Sequence, residues 1–267
     1  MYHAGPPPLP ASTALATWAL ATGTFFLIGT TLGSSLTTNV LAQLLALAGL
    51  PLAVLHLHRH LHRPAPEARW VTPYWFSQLA KPISLLGAAV AGTFAWYLAL
   101  RLAWPVVEAT GRHHEVREAT RAVTGDGAAL PWVLVASALV PGTCEELLHR
   151  GVVLPALAAR IGRPLALLVV TALFAVMHIE PARMVSATVI GVVAGVLALR
   201  TGSVWPAVVL HVINNACALV IGTDQLAEVE RIIAAHPDAA LACSVGGTLA
   251  GIGIAGWVTP LGARRSP

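Results

Sequence analysis

The sequence predicts an all-α fold, a polytopic transmembrane helical bundle of about eight spans, and three observations carry that prediction. Of 267 residues, 56% are hydrophobic and 10% charged, where an ordinary soluble domain carries roughly 25% charged residues. The mean hydropathy is +0.73, and 16 basic and 12 acidic residues are too few to coat a soluble surface of this size. The apolar residues also fall in blocks that match the roughly 20 residues a helix needs to cross hydrocarbon. The alternating segments of about ten residues that close a membrane barrel are not seen.

Taken in order, the candidate spans are 14–33, 37–57, 82–103, 130–159, 164–179, 184–200, 204–222 and 239–258. The stretch Met1–Ser12 holds no Lys or Arg, and Gly5–Pro10 is proline-rich. A secretory signal begins with a basic region, so 14–33 reads as a retained first helix. After the second span comes a polar loop, His56–Lys81, with His56, His58, His60 and His62 in alternation. A His-rich tract can bind metal; the plainer reading is a wet juxtamembrane segment with Trp70, Tyr74 and Trp75 as interfacial anchors. The third span leads into a second polar loop, Trp104–Gly127, which reads as a surface helix with charge pairs such as Glu108–Arg112. The fifth and sixth blocks are short. Gly191, Ala194, Gly195, Gly246, Gly247 and Gly251 are the small residues that let helices pack closely in lipid. No soluble domain interrupts the series, so 1–267 reads as a single integral membrane domain.

Charge and cysteine usage narrow the class further. With eight spans, the tails and even-numbered loops share one side and hold nine Lys or Arg, against six on the other. The positive-inside rule then favours cytoplasmic termini, and the net charge of +4 reads as topology rather than as a nucleic-acid footprint. The Ala-, Gly- and Pro-heavy composition suggests a GC-rich bacterial genome, hence a bacterial inner (plasma) membrane. Cys144, Cys217 and Cys243 all fall in apolar spans without CxxC spacing, which argues against a disulfide framework or a zinc knuckle.

Ionisable residues inside apolar blocks are functional hypotheses by default, because lipid penalises them. Three clusters stand out within 130–222. In Cys144-Glu145-Glu146-Leu147-Leu148-His149-Arg150, Glu146 and Arg150 are one turn apart and can pair. Glu145 points about 100° away, free for another task. One carboxylate held by a cation beside one lacking a partner is how two acids acquire different roles. The second cluster sets Phe174 one turn before His178, and the third sets His211 one turn before Asn215. Taken alone, the last two fit an interfacial histidine and an interhelical hydrogen bond as well as a site. Glu145 lies 15 residues before Arg160, and His178 lies 15 after Arg163, so a hairpin brings both to ~22 Å from one membrane face. His211, eight residues past Ser203, reaches only ~12 Å. Tilt or a deeper helix start must supply the difference.

In this order the clusters resemble the three motifs of the CAAX-protease and bacteriocin-processing (CPBP, Abi) family of intramembrane glutamic endopeptidases: EExxxR, FxxxH, and HxxxN or HxxxD. They read here as Glu145-Glu146…Arg150, Phe174…His178 and His211…Asn215, with no departure at a motif position. The resemblance implies that Glu145 activates water as general base, assisted by His178. It implies that His211 and Asn215 donate to the tetrahedral oxyanion, that Arg150 holds Glu146, and that Phe174 packs beside His178. Membrane lipid and a membrane-associated protein or peptide substrate are the implied partners, with cleavage near the substrate's carboxyl end. Relatives act in bacteriocin maturation, in immunity and in removal of carboxy-terminal sorting tails in the myxosortase style, and no residue here selects among them.

Two alternatives stay open at this point. Glu145, His178 and His211 could form a His₂Glu zinc site, although the HExxH signature is absent; the metal-free mechanism is the preferred expectation, with no cofactor. A non-catalytic membrane protein, an immunity factor or small transporter, would leave Arg150 beside the double Glu unexplained.

Overall fold

The computed structural model describes residues 9–33, 35–62, 80–111, 129–222 and 226–257. Among them the chain forms nine helices and no strand: α1 (Ala11–Leu32), α2 (Leu36–Leu61), α3 (Pro82–Thr110), α4 (130–161), α5 (Arg163–Val176), α6 (Pro181–Thr201), α7 (Trp205–Gly222), α8 (Ala227–Ala235) and α9 (Pro237–Trp257). Five of these, α1, α2, α3, α6 and α9, are long and apolar enough to cross a bilayer, and α5 and α7 are shorter apolar helices. With α4 this gives eight apolar helices in the expected order, an all-α membrane bundle. Its outer surface carries bare apolar side chains, such as Leu27, Leu45, Leu168, Leu249 and Trp257, each more than half exposed, as lipid requires.

Several boundaries differ from the sequence expectation. The sixth span is not short: it runs 21 residues, because Glu180 caps it by accepting from the Ala182 and Arg183 amides and Pro181 suits a first helical turn. Its charged start lies below any hydropathy threshold. Likewise α2 carries His56, His58 and His60 within the helix, where the sequence suggested a loop. Helix α3 extends through Trp104 and Pro105 to Thr110. The expected anchors Trp70, Tyr74 and Trp75, and Arg112 of the expected surface helix, lie outside the described residues. Helix α8, with acidic residues in its first turn and no buried side chain, was not expected.

Prolines inside apolar helices explain a recurring irregularity. Helix α2 widens to π geometry over Gln43–Gly49, and α4 does so twice, over Val135–Leu139 and Leu147–Val153. Each wide segment ends two residues before a proline: Pro51, Pro141 and Pro155. A proline ring clashes with the carbonyl four residues back, here at Leu47, Ser137 and Gly151, all inside the wide segments. The wider turn moves that carbonyl aside and keeps the helix continuous where no water can serve its backbone.

Close packing rests on missing side chains. Helices α3 and α9 cross at Gly87 and Gly251, where a methyl on Gly251 would lie 2.5 Å from the Ala91 amide nitrogen and 2.6 Å from the Gly87 oxygen. Ala88, Ala91 and Ala95 on α3 are fully buried, so a backbone-to-backbone contact runs along that helix. Replacing Gly251 by Ala should therefore lower stability by about 1–3 kcal/mol through overpacking. Gly253→Ala, with no atom near the added carbon, should be neutral or mildly stabilising. Thermal unfolding of both variants in detergent checks the contrast, and equal effects would contradict the packing assigned to this crossing.

Candidate active site

The polar core begins on α4, in the wide turns around Glu146 and Arg150. Both side chains are fully buried, and Arg150 Nη1 donates to Glu146 Oε1 at 2.9 Å. A buried guanidinium needs more than one partner. Arg150 Nη2 donates to the Gly191 carbonyl of α6 at 2.7 Å, and the guanidinium carbon lies 4.7 Å from the centre of the Phe174 ring. Gly191 makes this approach possible, since a methyl there would sit 3.3 Å from Arg150 Nη2 and 3.1 Å from Thr171. The charge that the sequence places in an apolar block thus ties together α4, α5 and α6.

His211 joins this pair from α7. Its Nδ1 donates to the same Glu146 Oε1 at 2.9 Å, and its Nε2 lies 3.9 Å from Glu145 Oε2. Glu145 Oε2 is itself buried and makes no hydrogen bond. The depth mismatch of the sequence reading is resolved by the start of α7. The α6–α7 turn does not lie at the surface: Ser203 and Val204 are buried, 1% and 0% exposed, whereas the α4–α5 turn around Gly162 is exposed. Helix α7 therefore begins inside the protein, and His211 reaches the level of the two glutamates.

Two glycines hold it there. A methyl on Gly92 of α3 would meet the Leu210 oxygen at 2.5 Å, and one on Gly142 of α4 would meet the Val212 amide nitrogen at 2.9 Å. The residues on either side of His211 are thus each pressed against a glycine of another helix. Pro141-Gly142, two residue types that disfavour a helix interior, lies inside α4 and marks the α4–α7 crossing.

Aromatic contacts complete the cluster. The Phe174 ring is edge-on to His178, His149 and His211, with centroids 4.9, 5.1 and 5.6 Å away. His178 Nδ1 donates to the Phe174 carbonyl at 2.9 Å; since a carbonyl only accepts, Nε2 is the lone-pair nitrogen of the neutral ring. His178 sits in the turn beyond α5, followed by Ile179 at φ +59°. A β-branched residue rarely adopts that conformation, and such strain clusters at functional sites. His149, fully buried, donates from Nδ1 to the Glu145 carbonyl at 2.8 Å and accepts from Trp18 Nε1 of α1 at 3.1 Å.

A cavity of about 370 Å³ lies against this cluster. Phe174, His178, His211 and Asn215 line it, with Trp96, Leu100, Ile190 and Leu219 forming apolar walls. Asn215 Oδ1 accepts from Asn214 Nδ2 at 3.1 Å, so its own NH₂ is the end with donors to offer. Glu146 and Arg150 stand behind the lining, and Glu145 keeps 11% of its side chain exposed. All seven expected residues therefore fall in one polar cluster at the cavity, and the His56–His62 tract takes no part in it. Among the described residues no three His, Cys, Asp or Glu are already arranged to hold a metal ion; of the zinc set considered from sequence, His211 Nε2 and Glu145 Oε2 lie 3.9 Å apart. Cys144, Cys217 and Cys243 are free thiols.

The comparison with known families matches these helices. Residues 127–217 fit the family model described as type II CAAX prenyl endopeptidase Rce1-like. That stretch of the chain is similar to an Rce1-like endopeptidase domain. The match covers roughly a third of the sequence and encloses all three motifs, in agreement with the CAAX-protease resemblance. No curated protein and no solved structure matches the chain. Within residues 127–217, sequence reasoning left Gly142, His149 and Gly191 without a catalytic role. His149 was legible one turn after Glu145, but its partner Trp18 lies 131 residues away, and Gly191 looked like one small residue among many.

Two outcomes follow. Truncating Arg150 to Met should destabilise the protein by about 3–5 kcal/mol, because Glu146 is left buried and uncompensated. Adding Glu146→Gln should recover part of that loss, and a double variant as unstable as the sum of the single ones would contradict the pairing. Gly142→Ala should force α4 and α7 apart at Val212, visible as a lower melting temperature, whereas Gly246→Ala, in open space, should leave it unchanged.

Proposed function

We propose that the Rce1-like stretch makes this chain an intramembrane glutamic endopeptidase that hydrolyses a peptide bond of a membrane-associated protein or peptide near its carboxyl end, without a metal cofactor. The observation that carries the reading is the placement of His211. It lies against two buried glutamates on one side and a cavity on the other, where His178 and Asn215 meet it.

In this reading Glu145 takes a proton from water while the water oxygen attacks the substrate carbonyl carbon. His178, whose Nε2 carries the lone pair in the neutral ring, assists the proton's movement. The developing oxyanion receives hydrogen bonds from the Asn215 NH₂ and from His211 Nε2. His211 donates there as a doubly protonated ring, its Nδ1–H held by Glu146. The charges then balance: Arg150 answers Glu146, and His211 answers Glu145. Collapse of the intermediate expels the amine, which leaves with a proton from the acid that Glu145 has become, and the other product is a carboxylic acid that gives up water's second proton to solvent as a carboxylate. In this reading no step runs through a metal, and the chelator arm of the test decides that point. The reading places the chain in a bacterial plasma membrane with both termini cytoplasmic, supported by the nine-to-six split of basic residues between the two sides.

The test follows cleavage of a pool of membrane-peptide carboxyl ends by mass spectrometry, with protein purified in detergent. Glu145→Gln should abolish turnover at nearly unchanged stability, and His211→Ala should abolish it and also lower the melting temperature, because Glu146 loses a buried donor. Asn215→Ala should lower kcat by about 10²–10³, as for loss of one oxyanion donor. Turnover should survive a chelator. Persistence in Glu145→Gln would overturn the mechanism, and chelator-sensitive turnover restored by zinc would overturn its metal-free form.

A further inference from the structure

The cavity has a second polar end that the proposed hydrolysis does not use. Arg183, in the first turn of α6, is the only Arg or Lys among the described residues lining it. Ile190, Ala187 and Ser186 of the same helix also line the cavity. It therefore runs along α6 from Ile190, next to the Gly191 whose carbonyl binds Arg150, to Arg183, about 10 Å at 1.5 Å per residue.

The nearest acid in sequence does not neutralise this arginine. Glu180 is the α6 cap, with Oε1 accepting from the Ala182 amide and Oε2 from the Arg183 amide. Among the described residues the Arg183 guanidinium forms no ion pair, in contrast to Arg150, which is paired and buried. Arg183 is exposed, so its charge is carried where the cavity meets solvent. The walls between are apolar, formed by Trp96, Leu100, Ile190 and Leu219. A permanent planar cation at one end of an apolar cleft is suited to a carboxylate, which it can meet with two parallel hydrogen bonds.

We propose that Arg183 is a specificity-determining residue, receiving a carboxylate of the bound peptide at the solvent end of the cavity. The inference rests on the endopeptidase reading for its reaction, but its binding step is separable from hydrolysis. The carboxylate has two possible sources, the substrate's own carboxyl terminus or an Asp or Glu side chain. Arg183 acts at a distance from the reacting atoms, so its loss should raise KM and leave kcat nearly unchanged.

The experiment measures binding and cleavage in parallel, with full-length protein in lipid nanodiscs. The probes are fluorescein-labelled short peptides randomised near the carboxyl end, prepared as free acids and as amides. An amidated set with Glu or Gln at a fixed position separates the side-chain source. Anisotropy should show wild-type protein binding one carboxylate-bearing set at least about ten-fold more tightly than its neutral counterpart. Arg183→Gln should erase that preference by weakening only the charged peptides, and Arg183→Lys should retain part of it. A merely structural role would weaken charged and neutral probes alike. Equal binding of acid and neutral peptides by wild-type protein in both arms would overturn the proposal, and that arm needs no variant to fold. A preference that persists in Arg183→Gln would overturn it equally. An Arg183-dependent preference without Glu145-dependent cleavage would sustain this inference while removing the endopeptidase reading.

Discussion

Arg150 is buried completely in a bundle whose outer surface is made for lipid, and its charge must be met where it stands. No single neighbour does this. Glu146 supplies the opposite charge, the Gly191 carbonyl a second acceptor, and the Phe174 ring a π face. These partners lie on α4, α6 and α5, so satisfying one guanidinium fixes the relative positions of three helices. Glu146 then has a definite place, and its Oε1 accepts from His211 as well. A fourth helix is thereby brought into the same network. An isolated charge would cost several kcal/mol in this setting, which makes the arrangement all or nothing: the helices either meet with these contacts formed or leave a charge stranded.

Electrostatics alone would not place His211 to within hydrogen-bonding distance. The packing on both sides of it does. Leu210 is pressed to Gly92 and Val212 to Gly142, at separations that admit no β-carbon, so α7 can neither slide nor rotate without backbone collision. The small residues at these crossings are the counterpart of a jigsaw core in a soluble protein, where side chains rather than their absence set the fit. Their consequence is chemical. They hold a ring that faces two carboxylates and a cavity at once, with Glu145 Oε2 buried without a hydrogen bond and 3.9 Å from His211 Nε2.

How much of this was legible in the sequence depended on the kind of signal. Apolar blocks marked all eight apolar helices, seven of them to within about four residues at each end and α3 seven residues short at its end, because hydropathy is a local property. The motif residues were legible because lipid makes each buried charge conspicuous. What the sequence hid was long-range or came from residues with ordinary local reasons to exist. Pro141 and Gly142 are residue types that disfavour a helix interior, but Pro141 is carried by the wide turn before it and Gly142 serves the crossing with α7. The first turn of α6 was lost because Arg183 and Glu180 lower the hydropathy of a segment that a capped helix tolerates well. The depth of His211 could not be read because it depends on the α6–α7 turn being buried, a tertiary fact that no residue count along α7 contains.

The same geometry bears on how water could reach a site enclosed by apolar helices. Short turns make successive helices antiparallel, so Ser137 near the start of α4, Arg183 at the start of α6 and Leu219 near the end of α7 all lie toward the end of the bundle opposite Gly162 and Gly202. These residues line the cavity, which therefore opens toward that end. Helix α5 has only 14 residues, about 21 Å at 1.5 Å per residue, short of the ~30 Å hydrocarbon core. His178 lies beyond its last turn, on the strained segment that leads to the exposed Ile179. A full-length α5 would have carried that histidine through hydrocarbon. By stopping short, the helix lets the chain turn back at His178 beside the cavity that His178 and His211 line.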